Sequence, residues 1–232
     1  MVLGMQFAGW IKYSYIDYPG KIATTLFCSG CNLRCPYCHN PELVDGSMES
    51  RFSSDEINAF IDKRRHFIEG VVISGGEPTL QNELDQFIRA VRTEKRLPVK
   101  LDTNGLLPDM IARAAPDYLA LDLKTLPSLY GPLLRSPYDD SAARLAKSID
   151  AARAMGDSAE VRITAAPELI DERIITELSR LIMGVKRVFL QPMQHTVPLL
   201  DPAWGKKEPV PMEKIRGYRD ILAKCVERCE IR

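Results

Sequence analysis

The sequence predicts an α/β fold, a partial (β/α)6 TIM-type barrel with parallel strands. Three observations carry that reading. Six short runs rich in β-branched residues alternate with six longer amphipathic runs, the pattern of parallel βαβ units with right-handed crossovers. The short runs are apolar on nearly both faces, as strands covered by helices are. Polar and thiol residues also gather at the carboxyl ends of these runs, where barrels and doubly wound sheets build their sites. A complete eight-fold barrel takes about 250 residues. The 232 residues here, with the first twenty ahead of the first clear strand, leave six units. A doubly wound open sheet is the alternative for the same elements.

In chain order, 1–20 is an N-terminal extension, 21–192 the barrel core and 193–232 a C-terminal loop and helix, all in one domain. IATTLFC (22–28) is the first strand. SSDEINAFIDKRRHFI (53–68) is helical, with Ser53 and Ser54 at its start and Glu56 in its first turn, a capping arrangement. GVVISG (70–75) is the second strand, followed by the helical run LQNELDQFIRAVRTE (80–94). VKLDT (99–103) is the third, followed by LPDMIARAA (107–115). YLALDL (118–123) is the fourth, followed by DDSAARLAKSIDAARAMG (139–156). AEVRIT (159–164) is the fifth, followed by LIDERIITELSRLIMG (169–184). Gly156 and Gly184 stand where helix stops belong. RVFLQP (187–192) is the sixth, and PMEKIRGYRDILAKCVERC (211–229) the last helix. Cys225 and Cys229, four apart on that helix, share one face and read as core.

Lys plus Arg (31) equals Asp plus Glu (31), so the formal net charge is zero. That excludes nucleic-acid binding through bulk charge. The first residues lack a basic stretch followed by an apolar one, so they are not a secretory signal. No apolar run approaches the roughly 20 residues of a membrane span. The expectation is a soluble cytoplasmic protein without nucleic-acid or membrane partners. In a reducing compartment, six cysteines point to metal or redox chemistry rather than disulfides.

CSGCNLRCPYCHN (28–40) holds four of the six cysteines. Cys31, Cys35 and Cys38 have the spacing C-x3-C-x2-C. Three thiolates are one short of an iron–sulfur cluster's usual four and of a closed tetrahedral zinc site, which leaves a position open to substrate. Cys28 ends the first strand, where a small buried thiol is ordinary. If it is counted in, the run becomes a zinc-like C-x2-C-x3-C-x2-C. The other strand ends carry GGEP (75–78), then Asp102, Thr103 and Asn104, then Asp122 and Lys124, with Arg162 near the end of the fifth and Gln191 at the end of the sixth. Such placements at six successive strands suggest one composite site along one rim.

With Tyr37 at the aromatic position, these cysteines resemble the C-x3-C-x-aromatic-C motif of the radical S-adenosylmethionine (SAM) superfamily. GGEP follows the second strand, as it does there. SYIDYPGK (14–21), CHNPEL (38–43), LDTNG (101–105) and DLK (122–124) extend the resemblance over essentially the whole chain. Together they look like the activating enzymes of glycyl radical enzymes. The pattern is most like anaerobic ribonucleoside-triphosphate reductase activating proteins, with pyruvate formate-lyase activating enzymes as near relatives.

The resemblance implies a radical SAM core with a [4Fe–4S] cluster on Cys31, Cys35 and Cys38 and with SAM on the fourth iron. One-electron cleavage of SAM would give methionine and a 5′-deoxyadenosyl radical, which takes a hydrogen from a glycine of the partner, anaerobic ribonucleotide reductase. A flavodoxin- or ferredoxin-type protein would donate the electron. Tyr37 would pack beside the adenine, held by the backbone around Cys38 and His39. Gly75 and Gly76 would take the ammonium end of the cofactor, with Glu77 fixing the loop. Asp102, Thr103 and Asp122, oxygen donors that suit a hard cation, would hold a monovalent cation near the cofactor carboxylate, and Lys124 would face that carboxylate. Arg162 would pair with the carboxylate or stack on the adenine. Asn104 and Gln191 complete the rim. Asp17 would lie beside the incoming glycine. The chain has DYPG where the pyruvate formate-lyase relatives have DGPG, a departure that bears on the partner's identity.

Plainer readings stand beside these. GGEP is also a strand-to-helix turn, Asp122 with Lys124 also a rim salt bridge, and His39 also a loop cap, with His66 and His195 as surface or packing residues. Two other functions are a radical enzyme acting on a small molecule, similar to 7-carboxy-7-deazaguanine synthase, and a non-catalytic zinc or iron–sulfur module.

Overall fold

The computed structural model describes residues 4–46, 48–49, 51–135, 140–194 and 198–232. Asp139 and His195 lie outside the described residues. The elements in chain order are β1 (Gln6–Phe7), β2 (Gly9–Ser14), β3 (Ala23–Cys28), α1 (Pro41–Val44), β4 (Phe52–Ser53), α2 (Ser54–Lys63), β5 (Gly70–Gly75), α3 (Leu84–Ala90), β6 (Val99–Thr103), α4 (Pro108–Ala114), β7 (Tyr118–Leu123), α5 (Ser141–Met155), β8 (Ala159–Ala165), α6 (Glu172–Leu181), β9 (Arg187–Pro192), α7 (Met212–Leu222) and β10 (Arg228–Ile231). All six predicted strands form, each within a residue of its expected bounds.

The chain divides into two compact units. The first takes the described residues up to Asn32 together with Glu42–Thr103 and Asp109–Leu119. The second takes Leu33–Pro41, Asn104–Pro108 and Ala120–Arg232. In the first unit the strands run in the order β6-β5-β3-β2. β3–β5 and β5–β6 are parallel, β2–β3 is antiparallel, and β1 pairs antiparallel with β4. In the second unit the order is β10-β9-β8-β7, with β8–β9 and β9–β10 parallel.

Local chemistry accounts for the helix starts. Ser53 caps α2 by accepting from Glu56 N, and the Glu56 carboxylate accepts from Ser53 N at 2.8 Å, a complete capping box. Asp171 caps α6, accepting from Ile174 N at 2.7 Å. α6 buries Ile174, Ile175 and Leu178 on one stripe, each contributing about 1.5–3 kcal/mol. Gly156 closes α5 with a positive φ of 57°. The run 80–94 becomes α3 followed by a π-helical turn, Val91–Lys95.

Two expectations are corrected. The N-terminal extension carries strands, because Trp10 docks through its indole N–H on Thr24 Oγ1 at 2.7 Å and its ring packs edge-on to Phe60. The last helix stops at Leu222, and Cys229 lies in β10 rather than on a helix. The tail finds a better partner in the open edge of β9: Arg228 N donates to Lys186 O at 2.8 Å and Arg232 N to Leu190 O at 2.9 Å. Cys225 and Cys229 therefore share no helical face. Among the described residues no helix is long and apolar enough to cross a membrane.

Candidate active site

In the first unit, the end of β5 is pressed against the segment that leads into the cysteine motif. Gly75 has φ 118°, and a Cβ there would stand 2.3 Å from Cys28 N. A Cβ on Gly76 would stand 2.1 Å from Gly30 O. The approach is fixed by Gly76 N donating to Cys28 O at 2.9 Å and Glu77 N to Gly30 O at 2.8 Å. Gly30 N and Cys31 N donate in turn to Leu43 O and Val44 O in α1, at 2.7 and 3.2 Å. The two glycines thus permit close backbone packing, and the turn belongs to the same hydrogen-bonded body as the motif's entry.

Glu77 is 1% exposed. Its Oε1 accepts from Thr79 N (3.1 Å), Thr79 Oγ1 (2.5 Å) and Thr103 Oγ1 (2.7 Å). It ties the turn to the end of β6. Asp102 Oδ1 receives Lys100 Nζ at 2.5 Å, and Oδ2 accepts from Ser74 Oγ at 3.3 Å. The sequence reading passed over Lys100. The signal was available, since residues two apart on a strand share a face and a lysine next to an inward carboxylate forms its counter-charge. Half-buried Asp17 accepts from Thr25 Oγ1 at 2.7 Å, while the preceding Tyr15 and Ile16 are 74% and 87% exposed. Burial, with Glu77 nearby, pushes the Cys28 thiol well above its ordinary pKa. It is a strand-end core residue.

In the second unit, Cys38 N donates to Cys35 O at 3.0 Å, turning the chain between these two thiols. Leu200 N donates to Cys38 O and Asp201 N to Pro36 O, each at 3.0 Å, and Arg34 N donates to Leu133 O at 2.6 Å. Tyr37 is buried beside Trp204, their ring centroids 6.1 Å apart. The Tyr37 hydroxyl is buried without a hydrogen-bond partner among the described residues. Trp204 and the segment after β9 were not among the predicted site residues. Their aromatic has no motif, and only the fold brings it to Tyr37.

Asp122 is the electrostatic centre of this unit. Arg162 Nε lies 2.6 Å from Oδ1 and Lys124 Nζ 3.2 Å from Oδ2. Burial would raise the carboxyl's pKa, but the two cations outweigh it and hold it well below the usual carboxylate range. Burial likewise opposes charge on Lys124, and Asp122 prevails, keeping it protonated. The Lys124 N–H donates to Tyr130 Oη at 2.9 Å. Burial pushes the Cys35 thiol up to about 11, with Lys124 pulling the other way. Asn104 Oδ1 accepts from Leu106 N at 3.1 Å, a local turn bond. Gln191 is half-buried with Thr164 as its register partner on β8. His39 and His66 are exposed.

Among the described residues no three His, Cys, Asp or Glu side chains are already gathered at metal-holding distance. The donor chemistry nevertheless fits a cluster held by three thiols. None of the six cysteines is in a disulfide, and a metal displaces the proton of a thiol that it binds, although burial by itself favours the neutral thiol at Cys35. A buried polar atom without a partner is rare, and the orphaned Tyr37 hydroxyl beside these residues suits an adjoining polar ligand.

Residues 25–190 match the family model described as Radical SAM superfamily. A Methanocaldococcus jannaschii protein provisionally named a glycyl-radical enzyme activating enzyme is 32% identical over 234 residues, 97% of this chain and 95% of its own. A second protein of that organism, with the same provisional name, is 34% identical over 121 residues, covering 51% of this chain and 45% of its own. Among solved structures, Streptococcus suis SuiB bound to precursor peptide SuiA aligns with a TM-score of 0.64 at 16% identity, over 88% of this chain and 47% of SuiB. That likeness shows the fold, an α/β partial TIM-type barrel with mostly parallel strands. The chain is a radical SAM enzyme: it belongs to the radical SAM superfamily, on the branch of glycyl-radical activating enzymes.

Proposed function

We propose that this chain generates a glycyl radical on a partner enzyme, anaerobic ribonucleoside-triphosphate reductase, in the cytoplasm. The observation that carries the reading is the similarity over nearly the full length to a protein provisionally named a glycyl-radical enzyme activating enzyme. The geometry around Asp17 supports it. Thr25 and Ser14 tether the Asp17 carboxylate and N–H, while Tyr15 and Ile16 stand out to solvent, where an incoming protein loop meets them first.

Cys31, Cys35 and Cys38 would hold a [4Fe–4S] cluster. Bound together, cluster and SAM would supply one-electron cleavage of the S–C5′ bond and the hydrogen-abstracting radical, with the electron from a flavodoxin- or ferredoxin-type donor. The chain's own residues bind, orient and exclude water. Tyr37, with the backbone at Cys38 and His39, would pack against the adenine. Gly75 and Gly76 would present backbone to the ammonium end, with Glu77 holding that turn through Thr79 and Thr103. Asp122 sets the positions of Lys124 and Arg162, the cations available to the cofactor carboxylate. Asn104 and Gln191 border the same ligand. The resemblance also implies a monovalent cation at Asp102, Thr103 and Asp122, but Asp102 already pairs with Lys100.

The deciding experiment mixes the reconstituted, reduced chain and SAM with candidate glycyl radical enzymes and records EPR spectra. A glycyl doublet on the reductase supports the proposal. SAM cleavage with no doublet on any partner, alongside turnover of a small molecule, overturns it.

A further inference from the structure

Lys100 is the least expected charge in the chain. It is 2% exposed and stands on a strand whose neighbours Val99 and Leu101 are fully buried. A buried ammonium is costly unless paired, and its pair is Asp102, 2.5 Å away. Ser74 Oγ holds the other carboxylate oxygen at 3.3 Å. Thr103, the next oxygen donor along β6, gives its hydroxyl proton to Glu77. The oxygens that resemble a hard-cation site therefore already have a positive charge in contact. A sodium or potassium ion bound at Asp102 would sit against that ammonium, and the two would repel. These residues do not fit a monovalent cation.

We propose that Lys100 is a positioning residue whose ammonium takes the place of that cation. It fixes the charge and orientation of Asp102 at the end of β6, so SAM binding and cleavage proceed without added sodium or potassium. The inference rests on the expected cofactor-binding role of this strand end and not on which glycyl radical enzyme is the partner.

The test compares the full chain and Lys100→Met in potassium, sodium and tetramethylammonium chloride at equal ionic strength. Tetramethylammonium is too large to enter a site shaped for a bare ion. Two readouts are taken: the thermal midpoint of the cluster-free chain, and the SAM dissociation constant of the reconstituted chain. For the wild type, SAM affinity should agree within about twofold across the three salts, with matching midpoints. Lys100→Met leaves Asp102 without its counter-charge, so in tetramethylammonium it should bind SAM about tenfold more weakly and melt lower. Potassium or sodium should restore most of both losses.

Wild-type affinity falling about tenfold in tetramethylammonium overturns the proposal. So does a Lys100→Met chain that behaves alike in all three salts. If that variant does not fold, the wild-type salt comparison decides alone. Neither readout involves a partner protein, so failure here is separate from failure of the activase reading.

Discussion

Arg162 Nε lies 2.6 Å from Asp122 Oδ1, so a side chain from the middle of β8 meets a carboxylate near the end of β7. Lys124 takes the other oxygen. One carboxylate therefore sets the position of two cations that would otherwise repel each other.

Asp122→Asn should lower unfolding free energy at pH 7 by about 2 kcal/mol, because two partly buried cations lose their shared counter-charge. The sign with pH follows from the depressed pKa of Asp122. Its contribution is fully present above the ordinary carboxylate value of about 4 and is lost as pH falls through the folded value. Urea unfolding of the cluster-free wild type and variant at neutral and acid pH should show the gap narrowing below about pH 4. A gap unchanged by acid would assign the loss to packing.

Gly76→Ala should cost about 3 kcal/mol or more, since its Cβ would meet backbone rather than a yielding side chain. The displaced segment is Cys28 to Gly30, next to Cys31, so iron per chain after anaerobic reconstitution should fall along with stability. Retention of full iron content by a destabilised variant would separate the turn from the motif.

Cys28→Ala should keep the cluster and SAM cleavage and lose about 1 kcal/mol of stability. Cys35→Ala should lose the cluster. Iron and sulfide analysis of both variants checks this, and an iron-free Cys28→Ala chain would revive the four-thiol zinc-like reading.

Tyr130→Phe removes the acceptor of the Lys124 N–H. Leaving that group unsatisfied should cost about 1–3 kcal/mol. SAM affinity should fall with it, while the rate at saturating SAM should hold, because Tyr130 acts only through Lys124. Equilibrium unfolding together with SAM titration measures both, and unchanged SAM affinity would leave Tyr130 a purely structural role.

The strands were legible because parallel strands covered on both faces write themselves as short apolar runs. The cysteine motif, GGEP and most of the polar rim residues stand out in the sequence because they sit at a run's carboxyl end, but Arg162, expected near the end of its strand, lies in the middle of β8. Other features were hidden for physical reasons. The Arg228–Ile231 strand depends on an edge of β9 that only the fold exposes, so the sequence reads there as continuing helix. Trp204 reaches Tyr37 through a segment without periodicity. Lys100 was passed over because no motif marks it, and its burial is accounted for by Asp102, two positions on and its partner in an ion pair. The sequence also does not show that a Cβ on either glycine of GGEP would strike the chain's own backbone at Cys28 and Gly30, because only the fold brings those segments together.

The entry to the motif is held by four main-chain hydrogen bonds, from Gly76, Glu77, Gly30 and Cys31, and none of them involves a thiol. In the other unit, the segment from Cys35 to Cys38 is likewise pinned through Leu200 and Asp201. Both tethers are made of main-chain groups alone, so neither depends on a metal–thiolate bond.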